Sequence, residues 1–139
     1  MKKKIAILGS TGSIGRSLID IIKKDKKNFD IVLLSTNRNI NKLLKQVKEF
    51  KVKNVIIFNK KKYRENKLKL LKEKKIKVFN DLKSFNKKRK IKVDYTMSAI
   101  SGLSGLEPTL DSIKYTKRIA IANKESLICA WNLIEKKLK

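Results

Sequence analysis

Residues Ile7–Gly15 of this 139-residue chain read ILGSTGSIG, a glycine-rich turn directly after an apolar run. Glycine at positions 9, 12 and 15 allows a tight turn and a close approach of the backbone to a ligand. A helix that begins near Ser13 would aim its free N–H groups at that ligand, as in phosphate sites. The spacing GxxGxxG is a variant of the dinucleotide pattern, and Arg16-Ser17 exclude a Walker A ending. The alternative is a tight strand–helix turn that holds no ligand.

The remaining sequence alternates short apolar runs with longer amphipathic segments. Strands are predicted at Lys4–Leu8, Ile31–Ser35, Asn54–Phe58, Ile76–Phe79, Val93–Ala99 and Arg118–Ala122. Helices are predicted at Ile14–Lys26, Ile40–Phe50, Lys61–Lys74, Leu106–Tyr115 and Ser126–Leu138. This alternation predicts an α/β fold in one domain, residues 1–139: a Rossmann-like, doubly wound, mostly parallel sheet with helices on both faces. The basic stretch Lys83–Lys92 is interpreted as a short helix or loop that joins two halves.

The chain carries 37 basic and 12 acidic residues, a formal net charge of +25. Such a charge favours an acidic partner, which would be a nucleic acid or a phosphorylated ligand. The lysines are scattered between apolar positions, and aromatic residues are not interleaved with them, which argues against nucleic acid and for solvated surfaces. No apolar run approaches the roughly 20 residues of a membrane span, so no membrane partner is expected. Cys129 is the only cysteine, and a reducing cytoplasm is therefore the expected location.

Polar residues stand at the end of the second predicted strand, where a parallel sheet binds its ligands. An NAD site usually has an acid there that binds the ribose 2′-hydroxyl. This chain has Asn37, Arg38 and Asn39 instead. Because a guanidinium suits a 2′-phosphate, the sequence favours NADP over NAD. The alternative is that Arg38 is one more surface cation in a basic chain.

Small residues follow the fifth predicted strand, at Ala99, Ile100 and Ser101. They would let the ribose and nicotinamide side of a cofactor lie against the backbone, or they form an ordinary turn. Ser104 and Glu107 have the spacing of a capping box for the next helix.

The sixth predicted strand is followed by Asn123, Lys124 and Glu125. Lys124 would meet an oxygen or phosphate of the substrate, while Asn123 and Glu125 would hold the cofactor. The alternative is a simple helix start at Asn123 or Ser126. Further along that helix, Cys129 and Trp131 are interpreted as packing residues.

Three stretches together resemble the 1-deoxy-D-xylulose 5-phosphate reductoisomerase family: ILGSTGSIG, AISGLSGLEPTL and IAIANKESLICA. The resemblance covers nearly the whole chain. It implies an NADPH-dependent enzyme that rearranges and reduces 1-deoxy-D-xylulose 5-phosphate to 2-C-methyl-D-erythritol 4-phosphate in non-mevalonate isoprenoid biosynthesis. It also implies the cofactor-binding residues Thr11, Gly12, Ser13, Ile14, Asn37, Arg38, Asn39, Ala99, Ile100, Ser101, Asn123 and Glu125. Lys124 would bind the substrate.

The family also binds one divalent metal, Mg or Mn, through an acidic motif that this sequence lacks. The chain contains no histidine, and its carboxylates form no recognisable ligand cluster. We therefore expect neither a metal site nor a catalytic residue in these 139 residues. They would be the NADPH-binding domain of a longer, homodimeric reductoisomerase, able to bind the cofactor but not to turn over. Two alternatives stay open: another NADP-dependent reductase, of the aspartate-semialdehyde or homoserine dehydrogenase type, or a stand-alone basic module that binds nucleic acid or acidic surfaces.

Overall fold

The structure, a computed structural model, describes residues 1–88 and 92–139. Its strands are β1 (Lys3–Leu8), β2 (Phe29–Thr36), β3 (Asn54–Ile57), β4 (Lys77–Phe79), β5 (Val93–Ser98) and β6 (Thr116–Ile121). Its helices are α1 (Ser13–Lys23), α2 (Ile40–Phe50), α3 (Lys60–Lys74), α4 (Leu82–Lys87), α5 (Leu106–Ile113) and α6 (Lys124–Leu138). Every predicted strand and helix is present, and most bounds agree to within about two residues. The predicted connection Lys83–Lys92 contains all of α4 except its first residue, Leu82, while residues 89–91 lie outside the described part of the chain.

The six strands form one sheet in the order β4-β3-β2-β1-β5-β6, and all neighbouring pairs are parallel. The chain starts in the middle of the sheet, adds three strands on one side of β1, and then returns to add two on the other. This is the doubly wound arrangement that the sequence predicted. Because every strand runs the same way, the six carboxyl ends meet at one edge of the sheet. The polar residues that follow β1, β2, β5 and β6 therefore share that edge.

Both faces of the sheet are buried, which explains the apolar character of β1. Ile5 and Ile7 belong to a core cluster that α1, α2 and α3 cover. Ala6 and Leu8 point to the opposite face and pack in a second cluster with residues of α4. Each fully buried isoleucine or leucine contributes about 1.5–3 kcal/mol of hydrophobic free energy. The buried sheet therefore supports the turns that follow its strands at the carboxyl edge.

Helix α6 packs differently from the prediction that placed Cys129 and Trp131 among packing residues. Its buried positions are Ser126, Ala130 and Ile134, which repeat at the spacing of one helix face. Cys129 and Trp131 flank that stripe, and both side chains are exposed. The expectation was wrong because the helix buries a single narrow stripe against α5 and the end of the sheet.

The start of α5 also departs from the sequence analysis. Gly105 precedes the helix and provides no side-chain cap, while the hydroxyl of Ser104 donates to the carbonyl oxygen of Ser101 at 3.1 Å. The predicted capping box of Ser104 and Glu107 is therefore wrong. A single 3-10 turn at Leu103–Gly105 leads into α5 and takes the place of a side-chain cap. Among the residues that the structure describes, no helix is long and apolar enough to cross a bilayer.

Asp94 joins three strands at the amino edge of the sheet. One carboxylate oxygen accepts from the backbone N–H of Lys4 at 2.8 Å, and the other accepts from Lys117 Nζ at 2.7 Å. The hydrogen bond from Lys117 and that from the Lys4 backbone lower the pKa of Asp94 below its ordinary value. Asp94 therefore links β5, on which it lies, to β1 and β6.

We expect Asp94→Asn to lower the free energy of unfolding at pH 7. Because the carboxyl's pKa is lower in the folded chain than in the unfolded chain, its stabilisation is present above the unfolded pKa of about 3.9. That stabilisation is lost as the pH falls through the lowered, folded pKa. Urea unfolding between pH 7 and pH 2 should show the gap between variant and wild type closing only in acid. Asp30→Asn, at an exposed position on β2, is the control. A gap that is constant across this range would contradict the role of the ionised carboxylate.

Candidate functional site

Two glycines of the first turn allow backbone segments to meet without side chains between them. Gly9 has a positive φ of 79°, and a Cβ on it would lie 2.7 Å from the carbonyl oxygen of Ala99. A Cβ on Gly15 would lie 2.7 Å from the Cα of Ser10. Both distances are shorter than a carbon atom tolerates. The turn therefore folds tightly between the end of β5 and the start of α1.

Gly12 forms the start of α1 and leaves it open toward solvent. Its backbone is extended (φ −77°, ψ 176°), and no side chain caps the helix. A Cβ here would have only the Gly9 carbonyl oxygen nearby, at 3.5 Å. The first N–H groups of a helix have no partners within the helix, and the macrodipole adds partial positive charge there. The start of α1 is thus suited to an anion.

The glycine turn is fastened to the end of β2. The backbone N–H of Gly9 donates to Ser35 Oγ at 2.8 Å, and the N–H of Ser10 donates to the Ser35 carbonyl oxygen at 3.0 Å. The hydroxyls of Thr11 and Thr36 are hydrogen-bonded at 2.8 Å. The glycine turn after β1 and the loop after β2 are therefore fixed relative to each other.

Gln46 adds a buried link that the sequence analysis missed. It lies on α2 with 6% of its surface exposed, and its Nε2 donates to the carbonyl oxygen of Ser10 at 2.8 Å. Its Oε1 is buried without a hydrogen-bond partner in the structure. A signal was present in the sequence, because Gln46 lies between Leu43 and Val47 on the apolar face of α2. A polar side chain in such a stripe indicates a specific buried partner.

A cavity of about 550 Å³ opens at the carboxyl ends of the strands. Six predicted cofactor residues line it together: Thr11, Gly12, Asn37, Ala99, Ile100 and Ser101. The structure thus brings together residues from the ends of β1, β2 and β5 that lie far apart in the sequence.

Four other predicted residues lie beside this cavity rather than on its wall. Ser13 and Ile14 form the first turn of α1, and both are exposed. Arg38 and Asn39 line a separate groove between α2 and α3. The side chain of Asn39 caps α2 by accepting from the backbone N–H of Lys42 at 3.1 Å.

Asn123 is buried and makes three hydrogen bonds within the protein. Its Oδ1 accepts from the backbone N–H of Ser126 at 2.7 Å, so that Asn123 caps α6. Its Nδ2 donates to the carbonyl oxygens of Ile100 and Gly102, the latter at 2.6 Å. The side chain thereby fixes the loop after β5 against the start of α6. The helix start weighed in the sequence analysis is present, and the same side chain also organises a cavity wall.

Lys124 and Glu125 occupy the first turn of α6. Lys124 is exposed and Glu125 is half-buried. Neither forms an ion pair with another residue of the described ranges. Because Asn123 ties this turn to the loop after β5, both residues stand at the same edge of the sheet as the cavity.

The cavity wall also contains residues that the sequence analysis did not single out. The main ones follow β3 and β4: Phe58, Lys60, Asn80, Asp81 and Lys83. They were missed because only four strand ends were considered, although the rule that located those four applies equally to β3 and β4.

Lys83 is ion-paired on the wall of the cavity. It pairs with Glu107 at 2.9 Å and lies 3.8 Å from Asp111. The hydrogen bond to Glu107 raises the pKa of Lys83, while burial raises the pKa of the Asp111 carboxyl. One lysine therefore faces two carboxylates on this side of the cavity.

No group of three or more histidine, cysteine, aspartate or glutamate side chains within residues 1–88 and 92–139 could hold a metal ion. These residues by themselves therefore do not fit a divalent metal centre.

The family model described as 1-deoxy-D-xylulose 5-phosphate reductoisomerase matches residues 5–131 of the chain. A reductoisomerase of this name from Pelagibacter ubique (strain HTCC1062) is 61% identical over 139 residues, which are 99% of this chain and 36% of the relative. One from Caldanaerobacter subterraneus subsp. tengcongensis is 39% identical over 132 residues, 95% of this chain and 34% of the relative. The chain thus spans about a third of the length of the curated relatives it matches.

Solved structures of the same kind share the fold. The reductoisomerase from Zymomonas mobilis in complex with NADPH superposes with a TM-score of 0.86 at 30% identity, covering 99% of this chain and 36% of that one. A reductoisomerase complex with NADPH, fosmidomycin and magnesium also gives a TM-score of 0.86 at 30% identity, covering 98% and 34%.

We expect Gln46→Leu to destabilise the fold by about 1–2 kcal/mol, because the buried carbonyl oxygen of Ser10 would lose the donor that reaches it. Urea unfolding followed by circular dichroism would measure the change. Lys48→Leu, at an exposed position of the same helix, is the matched control. If both variants unfold at the wild-type midpoint, the hydrogen bond from Gln46 does not hold the glycine turn.

Proposed function

This chain belongs to the 1-deoxy-D-xylulose 5-phosphate reductoisomerase family, and on that premise we propose that its strand-end cavity binds NADPH. The observation that carries the proposal is the open start of α1 at Gly12, beside a cavity that residues from four other strand ends complete. The cofactor's pyrophosphate would lie against this helix start. Thr11, Gly12, Ser13 and Ile14 would then contact it through backbone N–H groups and short side chains.

The adenosine ribose and its 2′-phosphate would lie at the end of β2. Asn37 lines the cavity there, and Arg38 and Asn39 follow in exposed positions. The absence of a carboxylate at this point of the sequence favours a phosphate over a free 2′-hydroxyl. Arg38 would supply a charge-assisted hydrogen bond to that phosphate.

The nicotinamide side of the cofactor would extend along Ala99, Ile100 and Ser101 toward the start of α6. There we propose a contact from Glu125 and a substrate contact from Lys124. Asn123 would act mainly as a positioning residue, since its Oδ1 and Nδ2 are already engaged by Ser126 and by the loop after β5.

For the whole protein we propose the family's activity, the NADPH-dependent conversion of 1-deoxy-D-xylulose 5-phosphate to 2-C-methyl-D-erythritol 4-phosphate in isoprenoid biosynthesis. NADPH, when bound, supplies the hydride for the reduction. The role of the described residues is to bind the cofactor, to orient its nicotinamide along the loop after β5, and to offer Lys124 to an anionic or oxygen-rich substrate. A divalent metal, a homodimer and a cytoplasmic location are parts of the same proposal. Residues 1–88 and 92–139 contain no group of three or more histidine, cysteine, aspartate or glutamate side chains that could hold the metal.

We expect Gly12→Asp to bind NADPH at least about tenfold more weakly than Gly12→Ser, because a carboxylate at the start of α1 would repel the pyrophosphate. Both side chains are good helix caps, and the extended backbone of Gly12 accepts either, so the two variants should fold equally well. Titration of NADPH fluorescence would give the affinities, and thermal unfolding would verify the folds. Equal binding by the two variants would place the pyrophosphate elsewhere. Absence of NADPH binding by the wild-type chain would refute the proposed cofactor.

A further inference from the structure

We propose that Lys60 is a second cation for the 2′-phosphate of NADPH and contributes to the preference for NADPH over NADH. This inference rests on the proposed function and names a residue of its cofactor site that follows β3. Arg38 was identified from its place after β2, whereas Lys60 is found only once the sheet brings the ends of β2 and β3 together.

Backbone hydrogen bonds fix the end of β3 beside the end of β2. The N–H of Phe58 donates to the carbonyl oxygen of Thr36 at 3.0 Å, and the N–H of Asn59 donates to that of Asn37 at 3.3 Å. Lys60 is the next residue and the first of α3. It is therefore held next to Asn37, at the place where a parallel sheet of this kind receives the 2′-position of the adenosine ribose.

Lys60 and Arg38 differ in the space that they line. Lys60 lines the same cavity as Gly12 and Asn37. Arg38 lines the neighbouring groove between α2 and α3. In the arrangement that the structure records, Lys60 is thus the cation on the cavity side of the β2 loop.

The other charged groups on the cavity wall already have ion-pair or hydrogen-bond partners. Lys83 interacts with Glu107 and Asp111. Asp81 accepts hydrogen bonds from the backbone N–H and the hydroxyl of Ser84, at 2.7 and 2.8 Å. Lys60 has no carboxylate partner within residues 1–88 and 92–139. It is therefore the cation of this cavity that is free to bind an anion.

The stability of α3 does not explain a lysine at this position. Three lysines, Lys60, Lys61 and Lys62, form the first turn, where positive charge is unfavourable to the helix dipole. Asn59 already caps the helix by accepting from the backbone N–H of Lys62 at 3.0 Å. Lys62 is paired with Glu65 at 3.2 Å. A bound phosphate would compensate the charge of Lys60, and Lys61 provides an adjacent lysine that does not line the cavity.

The test compares Lys60→Gln with Lys61→Gln in titrations of NADPH and NADH. Each variant loses one positive charge from the same helix turn, so general attraction for the anionic cofactor falls equally in both. We expect Lys60→Gln to bind NADPH about 5- to 20-fold more weakly and NADH with unchanged affinity, since only NADPH carries the 2′-phosphate. Lys61→Gln should keep the wild-type ratio of the two affinities. Thermal unfolding should show neither variant to be destabilised.

Two results would overturn the inference. One is an equal loss of NADPH affinity in the two variants, which would indicate a nonspecific charge effect. The other is a parallel loss of NADPH and NADH affinity in Lys60→Gln, which would place Lys60 at the pyrophosphate or in the fold. If the wild-type protein binds neither dinucleotide, the proposed function fails, and the inference fails with it. This result differs from the other two because no ratio of NADPH to NADH affinity could then be measured.

Discussion

The contact between Gly9 and the carbonyl of Ala99 sets the geometry of the whole carboxyl edge. Strands β1 and β5 are neighbours at the centre of the sheet, and the chain leaves both at the same level. A Cβ at position 9 would lie 2.7 Å from the Ala99 carbonyl oxygen, too close for contact, and would force the two loops apart. Its absence lets the turn after β1 pass directly over the end of β5. Backbone of Gly9 and Ala99 therefore meets directly at the wall of the cavity.

Hydrogen bonds carry this constraint outward from the turn. Ser35 receives the N–H groups of Gly9 and Ser10, and Gln46 reaches the Ser10 carbonyl from α2. The start of α1 and the loop after β2 are thereby held at a fixed separation before any ligand arrives. Such preorganisation would favour the proposed ligand NADPH, because its pyrophosphate and its 2′-phosphate would be bound at the same time.

The fold was predictable from the sequence because a parallel sheet buries both faces of its strands. Continuous apolar runs such as that of β1 stand out against a chain that is 35% charged, and apolar positions repeat at helical spacing in α1 and α2. Residues at the ends of β1, β2 and β5 were predictable for a related reason, since topology alone places strand ends together.

The features that were mispredicted or missed depend on which groups a side chain contacts in the folded chain, and a local sequence pattern does not reveal these contacts. Ser104 has the spacing of a capping residue, but its hydroxyl donates to the carbonyl oxygen of Ser101 instead of capping α5. Trp131 has a large apolar side chain, as core residues do, but the buried face of α6 is formed by Ala130 and Ile134. Gln46 reaches Ser10 across 36 residues, and Asn59, beside Lys60, reaches Asn37 across 22 residues. A local sequence pattern does not show contacts over such separations.

Asn123 illustrates how a single amide can narrow the substitutions that a site tolerates. Aspartate would keep the acceptor for Ser126, yet it would turn a carboxylate oxygen toward the carbonyls of Ile100 and Gly102. Serine would keep a cap but is too short to reach that loop, and glutamine would displace the acceptor from the helix start. Each of these three substitutions thus loses either the hydrogen bond to the start of α6 or those to the loop after β5. The fold alone therefore restricts the side chains that position 123 tolerates, whether or not Asn123 contacts a ligand.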